Sequence, residues 1–178
     1  MSLEPSCLLT IKEDYAGLLG NRHNQSKVVG ESSLLFEQFL DRLNEMGQWT
    51  LFQNIEDKEK SLPACIKVHT HCYQKASVGS TPTTNVLKTI PGVRIDEIPA
   101  GCCGMAGAFG YEKEHAELSM RIGELVLFPS IRNSKEGTWI VANGTSCRTK
   151  ILSGTQQQAL HIAEVLARIL DKHGKERQ

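Results

Sequence analysis

Hydrophobic residues in the first third of the chain repeat at the spacing of amphipathic helices. Between residues 8 and 19, apolar side chains recur every three or four positions, and Gly20 and Asn21 follow as a typical helix end. A polar loop separates this segment from a broader apolar stripe over residues 34–46, which ends at Gly47. We therefore predict two helices packed by their apolar faces, followed by a mostly polar connection.

The remainder of the chain alternates short β-branched runs with helical patterns. The predicted strands are residues 65–69, 93–98 and 139–142. The predicted helices are residues 81–90, 112–131 and 156–172. Pro129 is expected to kink or end the second of these helices early. Because strands alternating with helices form parallel sheets covered on both faces, the predicted fold class is α/β, a three-layer sandwich with a mainly parallel sheet.

Each predicted strand leads into a cysteine. The first is followed by Cys72, the second by the adjacent pair Cys102 and Cys103, and the third by Cys147. In parallel α/β sheets, ligands bind beyond the carboxyl ends of the strands. We therefore expect these four thiols to lie together at one rim of the sheet, whereas Cys65, early in its strand, is assigned to packing.

Charge and composition narrow the classes of function. Twenty basic and twenty acidic side chains give a formal net charge of zero, which removes the electrostatic argument for binding nucleic acid. No apolar run approaches the roughly 18 residues of a membrane span, and the N-terminus lacks signal-peptide features, so a cytoplasmic location is expected. In a reducing compartment the six cysteines are expected to be metal ligands or buried thiols rather than disulfides.

The segment 101–110 places the vicinal cysteines between glycines, which suits a metal site. Thiolates are soft ligands for zinc, copper(I) or iron–sulfur clusters, and the backbone N–H groups of Gly104 and Gly107 can approach a negatively charged centre. Structural zinc sites usually take cysteine pairs with two residues between them, so adjacent thiols favour a polynuclear iron–sulfur cluster. The flanking His69 and His71 are interpreted as hydrogen-bonding neighbours of the site, although either can replace a ligand.

Two other interpretations stay open from the residues alone. One is a zinc-bound or metal-free structural module that serves as a docking surface. The other is a thiol redox module, in which Cys102 and Cys103 form a disulfide with Cys72 or Cys147. The glycine spacing after Cys103 does not match a dinucleotide-binding fingerprint, so a nucleotide site is rejected.

These residues resemble a known family, the cysteine-rich CCG domain of heterodisulfide reductases and of glycolate oxidase iron–sulfur proteins. The resemblance is carried by Cys72, by Cys102-Cys103-Gly104 and by Ser146-Cys147. The wider sequence is most similar to the C-terminal part of FAD-linked dehydrogenases of D-lactate and other D-2-hydroxy acids.

The resemblance implies an electron-relay role. Four cysteines, Cys72, Cys102, Cys103 and Cys147, would hold an iron–sulfur cluster of the [4Fe-4S] type, tuned by Gly104, Gly107 and His71. FAD would lie in an upstream part of the parent polypeptide, whose flavin and ferredoxin-like domains would be the partners of this region. The region alone would not oxidise substrate, and its electron acceptor is not identified by the sequence.

The chain departs from the family pattern at the first cysteine of each C-x-x-C motif. Glu4 occupies that position before Cys7, and Gly144 occupies it before Cys147. The resemblance implies that residues 1–60 are the tail of a preceding repeat plus a helical connection, and that residues 61–178 are a CCG domain. Four thiols remain in this second repeat, enough by count for a [4Fe-4S] cluster.

Overall fold

The computed structural model describes residues 1–52 and 62–175. The predicted domain boundary between residues 60 and 61 falls outside the described residues, so the division into two regions stays a prediction. Among the described residues, no helix has both the length and the apolar character needed to cross a bilayer.

A four-stranded, entirely parallel sheet forms the centre of the fold. Its strands are β1 (Cys65–Val68), β2 (Arg94–Glu97), β3 (Trp139–Val141) and β4 (Ala159–Leu160). Their order is β2-β1-β3-β4, and β1 pairs with both β2 and β3 through Ile66, which lies opposite Ile95 and Trp139. The predicted α/β class with a parallel sheet is confirmed.

Ten α-helices are present in the described part of the chain. They are α1 (Pro5–Leu9), α2 (Tyr15–Leu18), α3 (His23–Ser32), α4 (Phe36–Glu45), α5 (Cys72–Ser77), α6 (Thr81–Lys88), α7 (Ala116–Leu125), α8 (Leu127–Arg132), α9 (Thr145–Thr155) and α10 (Ile162–Lys175). A π-helical turn (Thr10–Asp14) joins α1 to α2, and 3-10 turns lie at Gly20–Arg22 and Phe109–Tyr111.

The alternation of side chains along the strands produces two hydrophobic cores, one on each face of the sheet. Ile66, Val68 and Val141 belong to the core that contains apolar residues of α4, α6 and α10. Ile140 and Ala142 belong to the opposite core, which contains residues of α8 and α9. The sheet is therefore the middle of three layers, as the sequence pattern predicts.

Several helices differ from the pattern-based prediction. The segment predicted as a polar loop after Gly20 contains α3, whose residues are largely exposed and polar. The predicted final helix over residues 156–172 was wrong at its start, because Gln156 adopts a left-handed conformation (φ 58°) that ends α9 and precedes β4. The predicted strands missed β4, which has two residues and too little sequence to show a period.

The predicted helix over residues 112–131 is two helices rather than one. The break lies at Val126 (φ −144°), and Pro129 sits in the first turn of α8, where its missing N–H group costs little. A continuous helix would need a bond from residue 129 to the carbonyl of Leu125, which proline does not donate. The expected interruption by Pro129 is confirmed, and it begins three residues before the proline.

Candidate metal centre

Three loops at the carboxyl ends of β1, β2 and β3 meet at one rim of the sheet and carry the cysteines. Cys72 is the first residue of α5, just after the β1 loop, and Cys147 lies in the first turn of α9, just after the β3 loop. Cys102 and Cys103 lie in the irregular segment after β2. Thus two of the three loops carry their cysteine into the first turn of a helix.

All six cysteines of the chain are free thiols, and the four predicted site residues lie together. Cys103 and Cys147 are almost completely buried, with 3% and 1% of their surface exposed, whereas Cys72 and Cys102 are half-buried. Hydrogen bonding links Cys72 to Cys102, Cys102 to Cys103, and Cys103 to Cys147. The fold therefore collects the four thiols that the sequence singled out.

The pKa is shifted in opposite directions among the four thiols. Hydrogen bonding from Cys103, followed by that from Cys72, holds the pKa of Cys102 well below its usual range. Hydrogen bonding from Cys103 likewise lowers the pKa of Cys147 to about 5, against the opposing effect of burial. Hydrogen bonding to Cys102 raises the pKa of both Cys72 and Cys103, with burial acting in the same direction. The pKa is therefore lowered at Cys102 and Cys147, which accept hydrogen bonds, and raised at Cys72 and Cys103, which donate them.

The glycine-rich segment after Cys103 has the backbone shape of an anion cradle. Gly104 (φ +93°), Ala106 (φ 42°) and Gly107 (φ +66°) lie in the left-handed region, and the Gly104 N–H group donates a hydrogen bond to Cys102 Sγ at 3.3 Å. A side chain at Gly104 would overlap the carbonyl of Ser119, so this position needs glycine for space as well as conformation. Gly107 lines the adjoining cavity instead of bonding to a described sulfur atom.

His69 and His71 both lie at the centre but in different places. His69 is fully buried, and neither of its ring nitrogens has an oxygen or nitrogen partner among the described residues. One ligand atom of His69, Cys103 Sγ and Cys147 Sγ lie within 4.8 Å of one another. His71 is the N-cap residue of α5, and its Nδ1 atom is buried without a described partner. The sequence analysis placed both histidines beside the ligands.

Position 144, where the resemblance predicts a cysteine, is a glycine that packs against His71. A Cβ atom on Gly144 would lie 2.5 Å from His71 Cδ2 and 3.3 Å from Cys147 Sγ. The imidazole of His71 therefore occupies the space beside Gly144 that a side chain would use.

A cavity of about 500 Å³ opens onto the cysteine rim. Cys72 and Cys103 line it together with Tyr73, Tyr111 and Glu4, among other residues. Two of the four thiols therefore border this space.

The Glu4 carboxylate, which lines the cavity, accepts hydrogen bonds at both of its oxygens. Oε2 accepts from the N–H and hydroxyl groups of Thr145 at 2.9 Å each, and Oε1 accepts from the Ser6 hydroxyl at 2.9 Å. Burial opposes ionisation, but these hydrogen bonds leave the pKa of Glu4 lowered. Glu4 therefore holds the N-terminal segment against the start of α9.

A buried polar cluster behind the rim was missed by sequence reasoning. The Glu37 carboxyl, from α4, is completely buried and accepts a hydrogen bond from Asn143 Nδ2 at 2.6 Å. Thr83 and Gln74 complete the cluster through a 3.1 Å bond between their side chains. Burial raises the pKa of Glu37. The cluster connects the helix that starts at Cys72 with the loop that precedes Cys147, and a glutamate within a helix carried no signal of burial.

Cys65 and Cys7 remain apart from this group. Cys65, predicted as a packing residue, is buried at the start of β1 and lies 3.5 Å from Asp96 Oδ2 and 3.6 Å from Arg94. Cys7 lies in α1 and is exposed. Both provide matched cysteines outside the candidate centre.

Comparison with known proteins points to dehydrogenases. The chain is 31% identical over 111 residues to a subunit of the anaerobic glycerol-3-phosphate dehydrogenase of Escherichia coli, and the match covers 62% of this chain and 28% of that protein. It is 23% identical over 155 residues to D-2-hydroxyglutarate dehydrogenase of Pantoea ananatis and 24% identical over 167 residues to that of Pseudomonas putida. These two alignments cover 85% and 93% of this chain but 13% and 15% of the relatives.

The chain therefore spans less than a third of the length of each of these curated relatives. No family model and no solved structure matches the chain. The relatives support an oxidoreductase-related role for the chain.

Proposed function

We propose that this chain is an iron–sulfur electron-relay unit of a larger dehydrogenase that acts on D-2-hydroxy acids. The observation that carries the proposal is the joining of Cys72, Cys102, Cys103 and Cys147 from three separate loops into one group of contacting thiols. Four convergent cysteines are the usual ligand set of a [4Fe-4S] cluster.

The chemistry of the donor set fits such a cluster. The pKa is lowered at two of the four sulfurs, those of Cys102 and Cys147, which is the direction that favours the thiolate form needed for metal binding. At the same place the buried His69 ring has nitrogen atoms without an oxygen or nitrogen partner. A purely structural core rarely contains either buried thiolates or such an imidazole.

The protein residues would have distinct duties around the cluster, which when bound supplies reversible one-electron transfer. The four cysteines would hold it, and the Gly104 N–H group would stabilise negative charge on Cys102 Sγ, which raises a reduction potential. Cys72, which is half-buried and lines the cavity, would mark the side at which electrons enter or leave.

The substrate class rests on the named relatives and on the sequence resemblance. Two relatives are D-2-hydroxyglutarate dehydrogenases and one is a subunit of a glycerol-3-phosphate dehydrogenase. The flavin and ferredoxin-like domains of the parent enzyme would lie in other parts of the polypeptide and pass electrons to this unit. The chain on its own is expected to show no dehydrogenase activity.

Anaerobic reconstitution of the purified chain with iron and sulfide tests the proposal. We expect about four iron and four sulfide ions per chain and a charge-transfer absorption that bleaches on reduction. The variants Cys72→Ser and Cys103→Ser should lose most of this absorption, whereas Cys7→Ser and Cys65→Ser should keep it. A wild-type chain that binds zinc but takes up no iron and sulfide would overturn the relay and support a structural metal module instead.

A further inference from the structure

We infer that His69 is a direct metal ligand, so that the centre is a mixed imidazole–thiolate site with Cys103 and Cys147 as its buried inner ligands. The inference deepens the proposed function, because it rests on a metal occupying this rim and names how one side of it is coordinated.

The strand register aims His69 at the cysteines. Along β1, Ile66 and Val68 face the core of α4, α6 and α10, whereas Lys67 faces the other side and donates to the carbonyl of Ser130 in α8. His69 continues this alternation, because its N–H group extends the parallel ladder by bonding to Val141 O at 2.8 Å. Its ring therefore lies on the face that also contains Cys103 and Cys147.

The distances suit coordination. The His69 ligand atom and the two sulfurs all lie within 4.8 Å of one another. Ligands on a tetrahedral ion, with metal–nitrogen bonds of about 2.1 Å and metal–sulfur bonds of about 2.3 Å, lie roughly 3.5–4 Å apart, so only small movements close the site.

The buried imidazole of His69 lacks a good hydrogen-bond partner in the part of the chain that the structure describes. The ring is fully enclosed, and among the described residues neither ring nitrogen has an oxygen or nitrogen partner. Sulfur is a weak acceptor, and a buried ring nitrogen without a good hydrogen bond costs on the order of 1–3 kcal/mol. A metal held by the neighbouring sulfurs would supply that partner.

His71 does not fit the same role, and it supplies a matched control. It lies in the same His-Thr-His-Cys run, but its ring packs against Gly144 and it also lines the cavity. Comparing His69 with His71 therefore separates coordination from general effects of removing an imidazole near the centre.

Cobalt(II) titration under anaerobic conditions tests the ligand assignment without needing a cluster. The wild-type chain should bind one cobalt ion with sulfur-to-cobalt charge-transfer bands and the d–d bands of tetrahedral cobalt. His69→Ala should weaken cobalt binding by more than about 100-fold, the upper range for losing a mere neighbour of a ligand. His71→Ala, which removes a neighbour of the ligands, should weaken cobalt binding by no more than the roughly 10- to 100-fold expected for such a loss.

Two further readouts separate a ligand from a structural residue. His69→Cys should restore cobalt affinity and add charge-transfer intensity from a third sulfur. If the iron–sulfur cluster forms, selective ¹⁵N-histidine labelling should alter a nitrogen hyperfine coupling in the reduced protein, and His69→Cys should abolish that coupling and lower the reduction potential.

The outcomes distinguish this inference from the proposed function. Equal cobalt affinity and spectra in wild type and His69→Ala would overturn the ligand assignment while leaving the four-cysteine relay intact. Failure of the wild-type chain to bind cobalt would also overturn it. Cobalt binding that depends on His69, in a chain that takes up no iron and sulfide, would support the mixed site and refute the relay.

Discussion

The imidazole of His71 fills the space in which any side chain at position 144 would have to lie. A Cβ atom on Gly144 would approach His71 Cδ2 to 2.5 Å, closer than unbonded carbon atoms tolerate. The two residues lie far apart in the sequence and end two different strand–helix connections, so their packing fixes the separation of the loops that carry Cys72 and Cys147.

Gly144→Ala should therefore destabilise the protein and disturb the centre. Because the His71 ring must move, we expect the free energy of unfolding to fall by about 1–3 kcal/mol, measured by urea denaturation. The double variant His71→Ala/Gly144→Ala should lose less than the sum of the two single losses.

Gly101→Ala is the control for this pair, because a Cβ atom there meets nothing within 4 Å. It should leave stability nearly unchanged. If the losses of unfolding free energy from His71→Ala and Gly144→Ala simply add in the double variant, the His71 ring does not limit position 144.

Glu37 should make stability fall as the pH rises. Its pKa is raised by burial, so the folded state holds the proton more tightly than the unfolded chain, where the pKa is about 4.3. The stabilisation is complete below the unfolded pKa and is lost as the pH rises through the raised folded-state pKa. Glu37→Gln should remove this slope, since an amide keeps the acceptor for Asn143 without titrating.

The contribution of Glu37 is measured by comparing the free energy of unfolding of wild type with that of Glu37→Gln, from below the unfolded-state pKa to above the raised folded-state pKa. Glu37→Ala should be destabilised at every pH by about 1–3 kcal/mol, because Asn143 Nδ2 would lose its short bond. Parallel pH profiles for wild type and Glu37→Gln would contradict the buried-acid interpretation.

Glu4 should have the opposite pH dependence. Its pKa is lowered by hydrogen bonds from Thr145 and Ser6 despite partial burial, so its contribution is present above the unfolded pKa and is lost as the pH falls through the folded one. Glu4→Ala should cost about 0.5–2 kcal/mol, the usual range for losing a cap at a helix start. Amide exchange at Thr145 should quicken correspondingly.

Glu4→Gln provides the matched control, because its amide oxygen can still accept from Thr145. It should keep more protection at Thr145 than Glu4→Ala does. Equal exchange rates in wild type and Glu4→Ala would rule out this long-range cap.

The Phe128 ring is held between Gly123 of α7 and Gly154 of α9, and a Cβ atom on either glycine would overlap it. Gly123→Ala should lower the free energy of unfolding by at least about 1–3 kcal/mol. Phe128→Leu should offset part of that loss in a double-mutant cycle, by roughly 1 kcal/mol.

Gly17→Ala is the reference substitution for this cycle. Gly17 lies in helix α2 with nothing within 4 Å of the added carbon, so alanine should stabilise by about 0.5–1 kcal/mol. A Gly123→Ala variant as stable as wild type would show that the α7–α9 contact can open at no cost.

The sequence was informative wherever a period or a residue type repeated. Alternation predicted three strands and their parallel arrangement, and this arrangement brought Cys72, Cys103 and Cys147 to one rim. The role of these cysteines as ligands stays a prediction, which the experiments above address.

Features that depend on tertiary contacts could not be predicted from the hydrophobic and polar pattern of the sequence. Glu37 looks like any exposed helical glutamate, yet it is buried and accepts hydrogen bonds from Asn143 and Thr83. Glu4 looks like a substituted cysteine, and its contact with Thr145 crosses 141 positions. The His71 packing explains glycine at 144 only once both loops are in place.

Two thiols of the candidate centre are also part of an apolar core, because Cys103 and Cys147 pack in the same buried cluster as Phe128. The rim and the interior of the protein therefore share side chains. Chemistry at either sulfur is thereby coupled to the integrity of the layer that α8 and α9 form over the sheet.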